Sequence, residues 1–333
     1  QELDPELLSR AEAEAKLALE TDPDLPAARV ALARVYRSTG RYDASIEALE
    51  DVLAGHPHPG LAYRELAASY ERIGNLEEAE RCLQASVALD DADWGSWNSL
   101  GIFLSRLGRF SEARNAFQKA SELAPPGVYR PLENLGTMSL YDGDFAAAIE
   151  LYEQIPGPPP YAVLASNMAT AYYFLGDIPK AARYYRVAVE LDPKNAEVRR
   201  NLGDVLLKQG LEEEAREQSL EGVALMDAEL VISPGDPELL RRRTMYAAKA
   251  GQCEAALAEG RQLAVTQPKT VDSTWDLAYV FALCGERDEA IAAVRQAIDA
   301  GVSPAALREE DEFAALRDDP EFQALTNPEP ASD

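Results

Sequence analysis

The chain has 333 residues, 47% of them hydrophobic, and its 32 basic and 58 acidic side chains give a formal net charge of −26. The hydrophobic content is enough for a buried core and excludes a wholly disordered chain. The acidic excess argues against nucleic acid and against direct contact with an anionic membrane, because both attract basic surfaces. A basic partner stays open beside the simpler interpretation that acidic helix faces keep the particle soluble.

The ends of the chain carry little information on targeting. No apolar run approaches the ~18 residues of a membrane span, and no signal peptide is visible. Because residue 1 is Gln1 and not Met, we expect a processed chain or a piece of a longer protein. The cytoplasm is favoured, whereas an extracytoplasmic arm of a membrane-anchored parent and a homodimer stay open.

The first predicted element is a helix within residues 1–25. Ala11, Ala15 and Ala18 recur there at helical spacing before Pro23. This stripe is typical of the second helix of a repeat whose first helix is absent. The segment is therefore predicted to be a leading half-repeat or an N-terminal cap.

A repeat of 34 residues follows, as the intervals between Gly40, Gly74 and Gly108 show. Such a period indicates one supersecondary unit stacked many times. The same glycine slot recurs at Gly143, Gly176, Gly210, Gly251 and Gly285. Eight repeats are predicted near residues 26–59, 60–93, 94–127, 128–160, 161–194, 195–235, 236–269 and 270–303.

Each repeat is predicted to contain two amphipathic helices, most clearly in the third repeat. One face of its first helix carries Trp97, Leu100, Gly101 and Leu104. The stripe of its second helix is Phe110, Ala113, Phe117 and Ala120. Gly108 and Pro125 end the two helices. We expect the small Gly101 and Ala113 to let the two backbones approach closely.

This pattern resembles the tetratricopeptide repeat (TPR) over about residues 6–300. The resemblance implies an all-α fold, a right-handed superhelical solenoid of antiparallel helix pairs. It also implies that the first helices of the repeats line a concave groove. The function implied is a non-catalytic scaffold that binds a peptide or protein segment in this groove.

Two repeats depart from the regular pattern. In the sixth, the apolar periodicity runs on from Glu212 to Ile232, so we expect a helix about two turns longer than its neighbours, which protrudes or bends the stack. Between the fourth and fifth repeats lies a proline-rich run, Pro156 to Pro160, which is interpreted as a stiff connector. A docking ligand for proline-recognition domains is the alternative.

Residues 304–326 are predicted to form two short helices that cap the last repeat, because Phe313, Leu316, Phe322 and Leu325 would cover its apolar end. Residues 327–333 are predicted to be a disordered tail. The stretch 311–322 after such repeats is similar to the ends of bacterial proteins in which TPR arrays follow eukaryotic-like serine/threonine kinase, adenylate cyclase or transcription-regulator domains. This resemblance implies a sensor, regulatory or dimerisation arm of a larger signalling protein.

The sequence offers little chemistry for catalysis, a cofactor or a metal. Its two histidines, His56 and His58, lie in a Pro- and Gly-rich turn, where solvated turn residues are favoured over metal ligands. No phosphate loop or nucleophile elbow is present. An enzyme is therefore disfavoured as the alternative to a non-catalytic binding scaffold.

The three cysteines form no C-x-x-C motif, which disfavours a disulfide framework and a zinc module. Cys82 is predicted to belong to the core. Cys253 and Cys284 occupy similar ends of adjacent repeats, so a bridge is geometrically feasible. Because isolated buried thiols are common, we expect these two cysteines to be unbridged.

The candidate binding residues follow from the groove that the resemblance implies. Asn134, Asn167 and Asn201 each precede the packed Leu or Met of a first helix and are predicted to form a ladder along the groove. Asn both donates and accepts hydrogen bonds, so it can pair with the backbone of an extended peptide; the repeats of O-linked N-acetylglucosamine transferases have a similar ladder. The neighbouring inward candidates are Arg130, Glu133, Thr137, Thr170, Tyr173, Arg200, Asp204, Arg241, Trp275 and Tyr279.

The carboxylate clamp of chaperone-binding TPR proteins is not expected here. That clamp requires Lys and Asn at paired positions in consecutive repeats. Arg34 and Arg64 occupy this region without the Asn partner.

Overall fold

A computed structural model describes residues 4–55 and 60–327, and within these residues the chain is helical without β-strands. It divides into two compact units, residues 1–157 and 158–333, and the boundary in the chain falls within the proline-rich run. The first unit contains α1 (Pro5–Thr21), α2 (Pro26–Ser38), α3 (Tyr42–Gly55), α4 (Gly60–Arg72), α5 (Leu76–Leu89), α6 (Trp94–Arg106), α7 (Phe110–Leu123), α8 (Arg130–Tyr141) and α9 (Phe145–Tyr152).

The second unit continues the same alternation of helix pairs. Its repeats contain α10 (Ala162–Phe174), α11 (Ile178–Leu191), α12 (Ala196–Lys208), α13 (Glu212–Ile232), α14 (Pro237–Lys249), α15 (Cys253–Thr266), α16 (Val271–Leu283) and α17 (Arg287–Asp299). Three short segments follow: α18 (Pro304–Glu309), a 3₁₀ helix (Asp311–Leu316) and α19 (Pro320–Thr326). The all-α helical solenoid implied by the sequence is thus confirmed.

Local signals set the helix boundaries. Gly108, at the turn after α6, has φ +73°, a left-handed conformation that glycine adopts without steric cost. The side chain of Asp236 accepts hydrogen bonds from two backbone N–H groups at the start of α14. The side chain of Asn195 caps α12 by accepting one such bond, from the N–H of Val198. Turns and caps therefore divide the chain where the periodicity predicts.

The two helices of a repeat pack around small side chains. Ala113 of α7 is completely buried. A Cβ atom built on Gly101 of α6 would lie 2.6 Å from Cε1 of Phe117, which is too close for any contact. Gly101 therefore makes room for the ring of Phe117, a side-chain contact and not the backbone-to-backbone approach expected from the sequence.

The irregular sixth repeat has its long helix. α13 spans the 21 residues Glu212–Ile232. Its last two apolar side chains, Val231 and Ile232, are 80% and 84% exposed. This end of the helix consequently protrudes from the second unit.

The C-terminal segments differ in part from the two helices expected. A 3₁₀ helix at Asp311–Leu316 separates α18 from α19, so the region forms three short elements. Phe313 and Phe322 are completely buried and contact each other, with 5.6 Å between ring centroids. Arg287 of α17 donates to Asp319 at the start of α19 over 2.6 Å. Aromatic burial and ion pairs together attach these elements to the last repeat.

The cysteine prediction was wrong for two of the three residues. Cys253 and Cys284 form a disulfide, with 5.4 Å between their Cα atoms. The first residue of α15 and the residue that ends α16 come this close because neighbouring repeats stack, a geometry that spacing along the chain does not reveal. Cys82 is a free, buried thiol, as expected. The predicted His56 and His58 turn and residues 328–333 of the predicted tail lie outside the described residues.

We predict that Gly101→Ala destabilises the protein by about 1–3 kcal/mol, because the new methyl group displaces the buried ring of Phe117. Thermal unfolding followed by circular dichroism measures this. The matched control is Gly203→Ala in α12, where the nearest atom would lie at 3.6 Å. That variant should keep the stability of the wild type or gain up to about 1 kcal/mol in free energy of unfolding, because Ala has a higher helix propensity than Gly. Equal effects of the two substitutions would contradict the packing described.

We predict that alkylation of the denatured, non-reduced chain modifies Cys82 alone, and that all three cysteines react after reduction. Reduction should lower the free energy of unfolding by about 3–4 kcal/mol, because the bridge closes a loop of 31 residues. A Cys82→Ala variant should show the same loss on reduction. Modification of three cysteines without reductant would refute the bridge.

Candidate functional site

The predicted site residues lie on the first helices of the repeats. Residues three or four apart share one side of a helix. On α12 one such side carries Arg200, Asp204 and Lys208, and on α14 the corresponding side carries Arg242 and Lys249. We call this side of α10, α12, α14 and α16 the first-helix face of the second unit.

A cavity of about 340 Å³ opens on this face where α12, α14 and α16 contribute side chains. Its lining residues are Glu197, Arg200, Glu238, Arg241, Arg242, Met245, Tyr246, Asp272 and Asp276. We call it the arginine pocket. It brings together two sequence-predicted residues, Arg200 and Arg241, which are 41 positions apart in the chain.

Arg241 is held in the pocket without a good acceptor. Its side chain is 14% exposed, and its buried Nε–H has no hydrogen-bond partner among the described residues. The closest carboxylate oxygen, Oδ2 of Asp276, lies 3.8 Å away, beyond hydrogen-bond range. Burial raises the pKa of Asp276, although Arg241 and Arg200 act to lower it. The pocket therefore contains a guanidinium donor that the protein leaves unsatisfied.

The chain's own residues 310–316 cross the same face further along the helices; we call them the acidic segment. Lys249 Nζ of α14 donates to Glu312 over 2.7 Å. Lys208 of α12 forms an ion pair with Asp311, 103 positions away. The acidic segment therefore bridges first helices of different repeats, as a bound peptide would.

Lys249 anchors this contact. Its side chain is only 7% exposed, and it also donates to Asp204 over 2.5 Å. Burial alone would lower the pKa of Lys249, but the carboxylates of Asp204 and Glu312 outweigh it and raise the pKa. One buried cation is thus shared between two carboxylates, and the cluster keeps one negative charge. Asp204, predicted to meet a peptide, has this internal partner.

The two predicted aromatic residues of α16 meet the acidic segment. The ring centroid of Phe313 lies 5.1 Å from that of Tyr279, and Tyr279 is only 7% exposed. Burial raises the pKa of Tyr279, with a further contribution from Glu312. Trp275 packs edge-on against Tyr279 at 5.5 Å and stays half-buried. Tyr279 is therefore covered by the chain itself.

The remaining predicted residues of the second unit lie on α10 and α12. Asn167 and Asn201 are half-buried. The hydroxyl of Thr170 lies 2.8 Å from that of Tyr185 on α11, so this threonine joins the two helices of its repeat. The ring of Tyr173 lies 5.6 Å beneath Lys208 Nζ. Tyr173 and Lys208 thus connect α10 to α12.

In the first unit, the predicted residues lie on α8. Asn134 Nδ2 donates to Asn98 Oδ1 of α6 over 2.9 Å. Glu133 is buried, and the hydroxyl of Thr137 lies 3.2 Å from that of Tyr152. Arg130 is exposed in the first turn of the helix. An asparagine pair thus joins the first helices of neighbouring repeats.

Several functional candidates were missed by the sequence analysis. Asn98 lies one position earlier in its repeat than Asn134 does, so it falls outside the common slot. Arg242 follows Arg241 directly, and Lys208 and Lys249 each lie eight positions after Arg200 and Arg241, respectively. A count of helical turns from the predicted arginines could have found the lysines. Among residues 4–55 and 60–327, no group of three His, Cys, Asp or Glu side chains is arranged to hold a metal ion.

The geometry agrees with comparisons to known proteins. Residues 30–96, 98–163 and 166–237, more than half of the chain, match the family model for the tetratricopeptide repeat. The chain belongs to the tetratricopeptide repeat family. Repeats of this family are generally protein–protein interaction scaffolds and typically non-catalytic. No helix in the described part of this TPR chain is long and apolar enough to cross a membrane.

Individual curated proteins are similar to this chain in sequence, and solved structures are similar to it in fold, all at low identity. Protein KINESIN LIGHT CHAIN-RELATED 1 of Arabidopsis thaliana is 32% identical over 117 residues, 30% of this chain and 19% of that protein. The chain spans less than a quarter of the length of the curated relatives it matches. Among solved structures, the APC/C hetero-tetramer Cut9–Hcn1 has a TM-score of 0.57 at 17% identity, covering 71% of this chain and 45% of that one. Pseudomonas aeruginosa pilF has a TM-score of 0.55 at 20% identity, and the match covers 69% of this chain and 96% of that one.

We predict that Lys249→Met lowers the free energy of unfolding by about 3–5 kcal/mol, because it leaves Asp204 and Glu312 without their cation. Because the pKa of Lys249 is raised in the folded state, its contribution is complete below the ordinary value of 10.5 and is lost as the pH rises above it. Denaturant unfolding from pH 7 to pH 11 measures the difference between the two proteins. Lys194→Met is the control, because Lys194 is exposed, and it should change the free energy of unfolding by less than about 0.5 kcal/mol. A loss equal to that of the control would contradict the anchoring role.

Proposed function

We propose that this TPR chain is a non-catalytic scaffold that binds an extended segment of a partner protein along the first helices of its repeats. One observation carries the proposal: the acidic segment already lies across the first-helix face of the second unit and forms ion pairs with Lys208 of α12 and Lys249 of α14. This contact supports the proposal, because first-helix side chains of two repeats there hold a short 3₁₀-helical segment of the chain through its carboxylates.

The asparagines supply contacts that do not depend on the sequence of the ligand. Asn134 belongs to the first unit, and Asn167 and Asn201 to the second, each on a first helix and each half-buried. Their amides can donate to and accept from the backbone of an extended peptide. The hydrogen bond between Asn134 and Asn98 supports this role, because it orients an amide between two first helices.

A regulatory role is the second candidate. The stretch 311–322 resembles the ends of bacterial signalling proteins that carry TPR arrays, and it forms the acidic segment and the start of α19. In such a parent, the chain would be a sensor or dimerisation arm of a kinase or cyclase. The sequence upstream of Gln1 in the gene distinguishes the two candidates, since a catalytic domain there favours the regulatory arm.

We predict that the triple variant Asn134→Ala, Asn167→Ala, Asn201→Ala binds extended peptides at least about tenfold more weakly, because each lost amide removes hydrogen bonds worth about 0.5–1.5 kcal/mol. The probes are linear peptides selected from a random phage-displayed library on the wild-type chain, and fluorescence anisotropy measures their affinity. Asn115→Ala is the control, because Asn115 is exposed on the second helix α7. Unchanged affinity in the triple variant, with an intact helical spectrum, would overturn the groove model.

A further inference from the structure

The arginine pocket is unusual in a chain this acidic. With 58 acidic and 32 basic side chains, there is more than one carboxylate for every cation. Arg243, next to the pocket on α14, pairs with Asp227 at 2.5 Å and Glu259 at 2.9 Å. Arg200 and Arg242 form no ion pair within 4 Å with any residue that the structure describes, and Arg241 has only its 3.8 Å contact. Because acids are in excess, some of them must lack a cation. The charge balance gives no such reason for half-buried arginines to lack a close carboxylate.

The first-helix face of the first unit shows the contrast. Arg34 pairs with Glu65 at 2.6 Å, and Arg64 pairs with Asp93 at 2.6 Å. Two guanidinium groups, those of Arg34 and Arg37, overcome the effect of burial and lower the pKa of Glu65. Arginines at comparable places are thus occupied internally. In the pocket, by contrast, Arg200 has no carboxylate of a described residue within 4 Å, Arg241 has none closer than 3.8 Å, and Arg242 hydrogen-bonds to the neutral Tyr246.

The acids in the pocket wall have another role. Glu197, Glu238 and Asp272 lie in the first turns of α12, α14 and α16. A carboxylate at that place interacts favourably with the partial positive charge of the helix N-terminus. These acids therefore stabilise helix ends and leave the guanidinium groups beyond them unpaired. They also repel a doubly charged ligand more strongly than a singly charged one.

A carboxylate fits the donors that are left. A guanidinium group binds a carboxylate through two parallel N–H donors, and Arg241 presents a buried, unsatisfied Nε–H. The acidic segment shows the same chemistry on the same helices, where its internal side chains bind Lys208 and Lys249. Arg242 and Lys249 are seven residues apart, which is about 10 Å along a helix, so a second segment can lie beside the first.

We propose that the arginine pocket binds the side-chain carboxylate of an acidic segment in the partner protein, laid across α12, α14 and α16 beside the chain's own acidic segment. This inference rests on the proposed function and names the chemistry of the ligand. The ligand group is an Asp or Glu side chain within a peptide, not a chain terminus and not a phosphate. The partner is accordingly acidic at this place, contrary to the basic partner that net charge left open.

The test uses the full chain and a fluorescein-labelled peptide with a central Glu-Asp-Glu in a Gly/Ser background, acetylated and amidated so that only side chains carry carboxylates. Arg241→Gln and Arg242→Gln should each weaken its binding about tenfold or more. The control Arg183→Gln, at an exposed arginine of the second helix α11, should leave the affinity unchanged. Circular dichroism establishes that each variant is folded.

A gain of affinity provides the second arm. Asp276→Asn removes a negative charge 3.8 Å from Arg241 and should tighten binding about threefold, an effect that a damaged fold does not produce. Equal affinity of wild type and Arg241→Gln for the acidic peptide overturns the proposal. A neutral version of the peptide, with Gln-Asn-Gln in place of Glu-Asp-Glu, overturns it too if the wild type binds both peptides equally well. Tighter binding of a phosphoserine analogue, or dependence on a free terminal carboxylate, also overturns it. If library-selected peptides bind while the acidic probe does not, the pocket assignment fails and the scaffold function stands.

Discussion

The structure depends on one packing constraint, a small side chain at the contact between the two helices of each repeat. Ala113, Ala148 and Ala181 fill this slot in successive repeats and are completely buried. A larger residue would separate the helices and expose the apolar side chains that stack between repeats. Where serine replaces alanine, at Ser45, its hydroxyl donates to the carbonyl of Ala33 over 2.8 Å, so the polar group is satisfied.

Ionic contacts follow from this regular stacking. Many arginines reach an acid about one repeat away, as in Arg37–Glu65, Arg186–Glu214 and Arg261–Glu289, each separated by 28 positions. The exposed pairs Arg186–Glu214 and Arg261–Glu289 contribute only about 0–1 kcal/mol each, whereas Arg37 and Glu65 are partly buried. Against this background the arginine pocket stands out. There the repeat pattern places three guanidinium groups together, and the single ion pair among them is the 3.8 Å contact between Arg241 and Asp276.

The C-terminal residues cover the last repeat and also contact the first-helix face. Phe313 and Phe322 cover the apolar end of the last repeat, while the acidic segment continues onto the first-helix face. The buried ion cluster of Lys249, Asp204 and Glu312 holds it there. The first-helix face thus binds the acidic segment, and the guanidinium donors of the arginine pocket lie about two helical turns away on the same helices. The proposed binding face and the C-terminal cap thus use the same helices.

The sequence alone determined the repeat, because glycine turns, proline stops and small residues act within a span of 34 residues and are visible as spacing. It also determined the long α13 and the caps at Asp236 and Asn195, since both depend on neighbouring residues. Only the tertiary structure decided the disulfide, the arginine pocket and the course of the acidic segment. Those features join residues 31 to 103 positions apart, and such contacts depend on how successive helix pairs are rotated and stacked. No local pattern of residues encodes that rotation.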